Sequence, residues 1–165
     1  MTSGKEDYLK AIYIISEDHE LVSNKELSDM LHVSPPSVSE MIMKLQKEGY
    51  VDYTAYKGSK MTRKGRREAG KLFRFHALWE VFLVEKLHFS WSEAHEQADG
   101  LEHQTSDMLA ERLDEFLGHP EHCPHGDPIP KADGSRKGLT FRTLSDLKEG
   151  DRIVPLFAVL WKITA

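Results

Sequence analysis

The sequence has one cysteine, Cys123, and therefore no intrachain disulfide to hold it together. That usage fits a protein kept in a reducing cytoplasm. No apolar run approaches the ~20 residues needed to cross a bilayer, and no signal-like segment opens the chain. Neither a membrane span nor a disulfide-stapled secreted scaffold is expected. Positive charge is also short: 22 Lys+Arg stand against 27 Asp+Glu, a net charge of -5 that taken alone counts against nucleic acid. The shortage is uneven, however. Residues 1–75 carry 13 Lys+Arg and 11 Asp+Glu, whereas residues 76–165 carry 9 and 16. Between Lys57 and Arg74 eight basic residues accompany one acid, Glu68, and such a block is a candidate phosphate-binding surface.

What is present suffices for a core: 165 residues with 39% hydrophobic content support one or two domains. Lys5 to about Glu17 carries Tyr8, Leu9, Ile12 and Ile15 at helical spacing, with Asp7 as its notable polar residue. Ser23-Asn24-Lys25-Glu26 has the form of a capping box and opens a short helix through about Leu31. After a turn at His32-Val33, Ser34-Pro35 supplies an N-cap followed by proline at the first helical position. The helix so begun runs to about Glu48, with Val38, Met41, Ile42 and Leu45 inward, and Gly49 ends it. Tyr50–Tyr56 and Lys60–Thr62 read as strands joined at Lys57-Gly58-Ser59. Two helices around a tight turn, followed by a β-ribbon, form a winged helix-turn-helix. The plainer alternative is a helical hairpin with a ribbon attached.

Thr62 caps a long helix from Arg63 to about His88, basic first and apolar on most faces afterwards. Phe73, Trp79, Phe82 and Leu83 on it are expected to form a dimer contact, or else to be buried in the chain's own core. Ser92-Glu93 starts the next helix, and another runs from about Ser106 to Leu117, with Met108, Leu109, Leu113 and Phe116 inward and Gly118 as terminator. The proline-fixed stretch His119–Pro130 is a loop that offers Cys123 and His125. From Leu139 the pattern turns to short strands, and the 27 residues from there onward are too few for an independent barrel.

Seven of the nine histidines lie between positions 76 and 125, which moves attention to metal. On a helix His95, Asp99, Glu102 and His103 share an arc of roughly 100°, so two carboxylates and an imidazole of that set converge. His76 and Glu80 repeat the i, i+4 spacing on the preceding helix, and two antiparallel helices carrying such pairs build a site between them. The thiolate of Cys123 and the imidazole of His125 favour a borderline metal such as zinc or iron over magnesium. A solvated acidic face with a few histidines is the alternative.

Taken together, Lys5-Glu6-Asp7-Tyr8-Leu9, Val33-Ser34-Pro35-Pro36-Ser37-Val38-Ser39, Leu101-Glu102-His103 and Cys123-Pro124-His125-Gly126 before Pro128-Ile129-Pro130 resemble the diphtheria-toxin-repressor family, its manganese-responsive branch in particular. The likeness covers residues 4 to about 130. It implies a mainly α protein: a winged helix-turn-helix DNA-binding domain over 1–73, a helical dimerisation and metal-binding domain over 74–130, and a linker with a truncated β-type SH3-like segment over 131–165. It implies a primary metal site from Asp7, Asp99, Glu102 and His103 with His76 adjacent, and an ancillary site from Glu80, Cys123 and His125. His95 matches an ancillary ligand of the iron-responsive members. Where some manganese members place a second N-terminal acid, this chain has Lys10. By resemblance and position, Ser34, Pro36, Ser37, Ser39 and Glu40 face the major groove, and Lys44, Lys57, Lys60 and Arg63 contact phosphate.

The function implied is a cytoplasmic homodimeric repressor that binds palindromic double-stranded operator DNA when loaded with Mn²⁺, or with Fe²⁺ or Zn²⁺, and controls metal-uptake genes. Carboxylates at positions 7 and 99, where iron-type sites use sulfur, favour manganese. Two other classes are open to the residues. Asp99-x-x-Glu102-His103 would also serve a metallohydrolase, and a winged-helix sensor of a small organic ligand would leave the histidines incidental.

Overall fold

The computed structural model describes residues 1–17 and 19–135. Among the described residues six helices and one two-stranded sheet follow in the order α1 (Ser3–Ile15), α2 (Asn24–Leu31), α3 (Pro35–Lys47), β1 (Val51–Thr54), β2 (Gly58–Met61), α4 (Arg63–Leu87), α5 (Trp91–Glu102) and α6 (Asp107–Leu117). The SH3-like reading of residues 139–165 lies outside the described residues. No helix among the described residues is long and apolar enough to cross a membrane.

The helix boundaries follow from capping chemistry. Ser23 and Glu26 exchange bonds as a capping box at the start of α2, Ser34 accepts from the backbone N–H of Ser37 ahead of Pro35, and Thr62 accepts from that of Gly65. α2 and α4 end at His32 and His88 in the left-handed conformation, and α6 ends at Gly118. One boundary differs from the sequence reading. Ser90, not Ser92, caps α5, because Glu93 stands three residues after Ser90 and closes a second capping box.

The first core gathers Leu9 and Ile12 of α1, Leu27 of α2, Val38, Ile42 and Leu45 of α3, Val51 of β1 and Met61 of β2. The wing turn is displaced from its expected place. Thr54 pairs with Gly58 and Tyr53 with Ser59, so the reversal falls at 55–57 and Gly58-Ser59 belong to the strand. Val22 accounts for the shift, exchanging 2.8 Å bonds with Ser59 on the other edge of β2. A Cβ on Gly58 would stand 2.5 Å from the Val22 carbonyl oxygen, and φ there is +114°, so only glycine fits.

α4, at 25 residues about 37 Å long, joins the two cores. Ala69 and Phe73 pack into the first; Leu78 packs with Ala110 and Leu113 of α6 in the second, lined by Phe75, Trp79, Phe82 and Ile129. Of the four residues expected either at a dimer contact or in the chain's own core, Leu83 is buried, while Phe73, Trp79 and Phe82 are half-buried, Phe73 against the first core and the other two against the second. Met43, Leu87 and Trp91 are exposed, and α6 carries three further apolar residues, Met108 (76% exposed), Leu109 (42%) and Phe116 (64%), that point outward instead of inward. Arg74 anchors the loop after α6 to α4: its guanidinium donates to the Pro130 carbonyl at 3.2 Å and pairs with Glu111 and Asp114.

Candidate metal centre

The centre lies where α4 passes between the two cores and three helices meet. α1 presents Glu6, Asp7 and Lys10, which helical spacing puts on one side. α5 presents His95 and Asp99 one turn apart, then Glu102 in its last turn and His103 as its C-cap. α4 presents His76 and Glu80, and the loop after α6 brings Cys123 and His125.

Glu102 is the hub, only 2% exposed. Its Oε2 lies 2.7 Å from His76 Nδ1 and accepts from Lys10 Nζ at 2.7 Å. Its Oε1 faces His103 Nε2 at 3.7 Å, and that nitrogen is 3.0 Å from Asp7 Oδ1. His103 Nδ1 lies 2.6 Å from Glu6 Oε2, so Glu6 orients the ring and leaves Nε2 toward Asp7. Asp7, Glu102 and His103 thus hold ligand atoms within 4.8 Å of one another, and His76, Asp99 and Glu102 form a second such group. The four residues expected as one primary set are divided. Asp99 sides with His76, and both share Lys10, whose Nζ is 3.0 Å from Asp99 Oδ1 and 3.1 Å from His76 Nδ1.

Glu80 is the second hub, equally buried. Its Oε1 lies 3.0 Å from His76 Nε2 and 2.9 Å from His95 Nδ1, and its Oε2 lies 3.3 Å from His125 Nδ1. Glu80, Cys123 and His125 form one ligand group, and His76, Glu80 and His95 another. Histidines 76, 95 and 125 therefore run as a chain through Glu80.

Burial and partners set the charges. Burial pushes the Glu80 carboxyl up, but hydrogen bonds from His125, His76 and His95 outweigh it and hold the group far below the usual carboxylate range. His125 is pushed up to about 10 by its bonds to Cys123 and Glu80. Burial draws Lys10 down, yet Glu102 and Asp99 more than restore it and keep the ammonium. At Asp7 burial wins: the carboxyl is raised despite His103 beside it. Two carboxylates buried this deeply need a cation or a hydrogen-bonded proton, and imidazole, carboxylate and thiol donors at ligand spacing fit a divalent transition metal. The first hub offers oxygen and nitrogen only; the second adds sulfur.

The sequence reading named every ligand of these groups but His95 as a site residue, having given His95 as an iron-type match. It missed Glu6 as an orienting residue, although Glu6, Asp7 and Lys10 stand at helical spacing on α1. On the DNA side Ser34, Pro36, Ser37, Ser39 and Glu40 are exposed together at the start of α3. Lys44 pairs with Glu40 at 2.7 Å and Lys60 with Glu20 at 2.6 Å, while Lys57 and Arg63 are exposed.

Comparison with known proteins agrees with this division. The family model for the iron dependent repressor N-terminal DNA binding domain matches residues 1–59, and that for the iron dependent repressor metal binding and dimerisation domain matches residues 62–131. An HTH-type transcriptional regulator of Methanocaldococcus jannaschii is 40% identical over 118 residues, 71% of this chain and 94% of that protein. The HTH-type transcriptional regulator MntR of Geobacillus kaustophilus is 32% identical over 116 residues, 70% of this chain and 82% of its own. The structure of the manganese regulator SloR aligns with a TM-score of 0.76 at 44% identity, over 90% of this chain and 69% of that one. The first two are HTH-type transcriptional regulators and the third a manganese regulator, which with the two family models sets aside the metallohydrolase reading. The chain belongs to the iron-dependent repressor family and is a metal-dependent transcriptional repressor.

Proposed function

We propose that this chain is a manganese-responsive repressor that acts in the cytoplasm as a homodimer on palindromic operator DNA. The observation that carries the proposal is the meeting of Asp7, from the helix-turn-helix side, with His103 and Glu102, from the α5 side, in one ligand group. Asp7, Glu102 and His103 would hold the regulatory ion, with Asp99 and His76 beside them; Glu80, Cys123 and His125 would hold a second. A bound divalent ion supplies the positive charge that makes Asp7 and Glu102 attract through a common centre. Asp7 then fixes α1, and with it α3, against α5. Glu6 keeps His103 in the tautomer whose Nε2 is free to ligate.

The effect on DNA is one of preorganisation. A two-fold operator requires both α3 helices at half-site spacing at once, and fixing their position beforehand removes ordering entropy from the binding step. The coupling is reciprocal, so operator DNA must tighten the metal site in return. The outward Met108, Leu109 and Phe116 would contribute apolar area to a two-fold contact. Hard donors at the Asp7 group support Mn²⁺, with Fe²⁺ second; zinc would bind on affinity alone, so selection rests on geometry and availability. The serines and Pro36 at the start of α3 would read bases, and Lys44, Lys57, Lys60 and Arg63 would hold phosphate.

Fluorescence anisotropy on promoter DNA with Mn²⁺, Fe²⁺, Zn²⁺ and chelator in parallel tests the reading. Mn²⁺ is expected to raise affinity most, and chelator to abolish the gain. Binding that chelator leaves unchanged would favour a sensor of a small organic ligand.

A further inference from the structure

Lys10 occupies an unusual position for a cation. It stands on α1 one turn beyond Asp7, with 14% of its side chain exposed, and its Nζ contacts Glu102 Oε2 (2.7 Å), Asp99 Oδ1 (3.0 Å) and His76 Nδ1 (3.1 Å). Those three partners are the members of the second ligand group at the interdomain centre. An ammonium at hydrogen-bond distance from all three fills the point at which they converge.

We propose that Lys10 is a resident cation, whose ammonium takes the place a further divalent ion would need between His76, Asp99 and Glu102 and so limits the interdomain centre to one ion, at Asp7, Glu102 and His103. The inference rests on the reading of that group as a metal site. Three observations carry it. Glu102 is almost wholly buried, and an unpaired buried carboxylate is strongly disfavoured, so some cation must accompany it in the metal-free chain. Lys10 and His76 both engage Oε2, which leaves Oε1 as the oxygen that faces His103 and Asp7. Glu102 is thereby turned to present one oxygen, not two, to an incoming ion. Finally, Lys10 reaches from α1 to α5, so it ties the same two elements as Asp7 does. The metal-free chain is already held in part, and the ion completes the contact.

The test is Mn²⁺ bound per chain at saturation, by equilibrium dialysis with elemental analysis, for the wild type, Lys10→Glu, Lys10→Gln and Asp7→Ala. Lys10→Glu replaces the ammonium by an anionic donor and is expected to bind one more Mn²⁺ per chain than the wild type. Lys10→Gln keeps length without charge and is expected to show the same additional ion at lower affinity. It should also gain more thermal stability from Mn²⁺ than the wild type does, since Glu102 has lost its counter-charge. Circular dichroism with Mn²⁺ present checks that each variant folds. If both Lys10 variants bind the wild-type number of ions while Asp7→Ala binds one fewer, Lys10 is an ordinary ion-pair partner and the inference is overturned. If Asp7→Ala binds as many as the wild type, the Asp7 site itself fails and takes the inference with it.

Discussion

His125 shows what one residue contributes to the response. Its bonds to Cys123 and Glu80 raise it from the ordinary 6.5 to about 10, so in the metal-free chain it carries a proton through the neutral range. An ion that ligates His125 must displace that proton. Mn²⁺ affinity at the Glu80–Cys123–His125 group should therefore rise with pH up to about 10, with proton release seen as a calorimetric heat that changes with buffer ionisation. Heats identical across buffers would contradict this. For stability without metal the sign is opposite. A group raised from 6.5 to about 10 on folding stabilises fully below 6.5, and that contribution fades as pH climbs through 10. The metal-free Tm should fall across that window, and the fall should shrink in Glu80→Gln. Cys123→Ser should lower Mn²⁺ content by one per chain and weaken DNA binding only in part, because its group ties the loop to α4 and not to α1. The ligand types at these positions were legible in the sequence. The grouping of Glu80, Cys123 and His125 came from the family resemblance; that of Asp99 with His76 and Lys10 was not legible, because the three come from three helices and no local spacing reveals an ammonium among them.

At the scale of elements, most of the chain was legible because its boundaries are written in short-range chemistry. Ser23 with Glu26, Ser34 before Pro35, Thr62 and Gly118 all act where their sequence context puts them. The α5 start was misplaced because Ser90 and Ser92 both stand ahead of Glu93, and only Ser90 has the three-residue spacing that closes a capping box. The wing turn was misplaced for a different reason: Val22 sits far from Ser59 in sequence, and its bridge draws Gly58-Ser59 into the strand. That bridge gives a prediction. Gly58→Ala forces a Cβ against the Val22 carbonyl at a positive φ, and should cost at least ~1–3 kcal/mol in urea unfolding. A variant as stable as the wild type would mean that the Val22–Ser59 bridge is dispensable. Lys60 gives another. It is paired with Glu20 in the free chain, and Lys60→Ala should weaken all DNA sequences alike and reduce the salt slope by about 1. Ser37→Ala, on the exposed start of α3, should alter sequence preference instead. Untouched affinity and slope in Lys60→Ala would remove the wing from the DNA surface.

The molecule as described is two cores strung on one helix, with the carboxylates Glu80 and Glu102 buried around the metal centre and a separate buried pair, Arg74 with Asp114, tying α4 to α6. Hydrophobic periodicity foretold both cores but not which apolar residues were left over. α6 has apolar residues on two faces, and only the packed structure shows Leu113 inward and Phe116 outward. Phe116→Asp should accordingly leave the monomer folded while dissociating the dimer in light scattering. The central claim is that Asp7 couples metal to DNA by closing the junction. Operator anisotropy with and without Mn²⁺, on the wild type and Asp7→Ala side by side, tests it most directly. For the wild type a coupling of about 1–3 kcal/mol predicts a gain in DNA affinity of roughly 5- to 150-fold. For Asp7→Ala, folded and dimeric as before, the account predicts no gain; an undiminished Mn²⁺ response in that variant would contradict it.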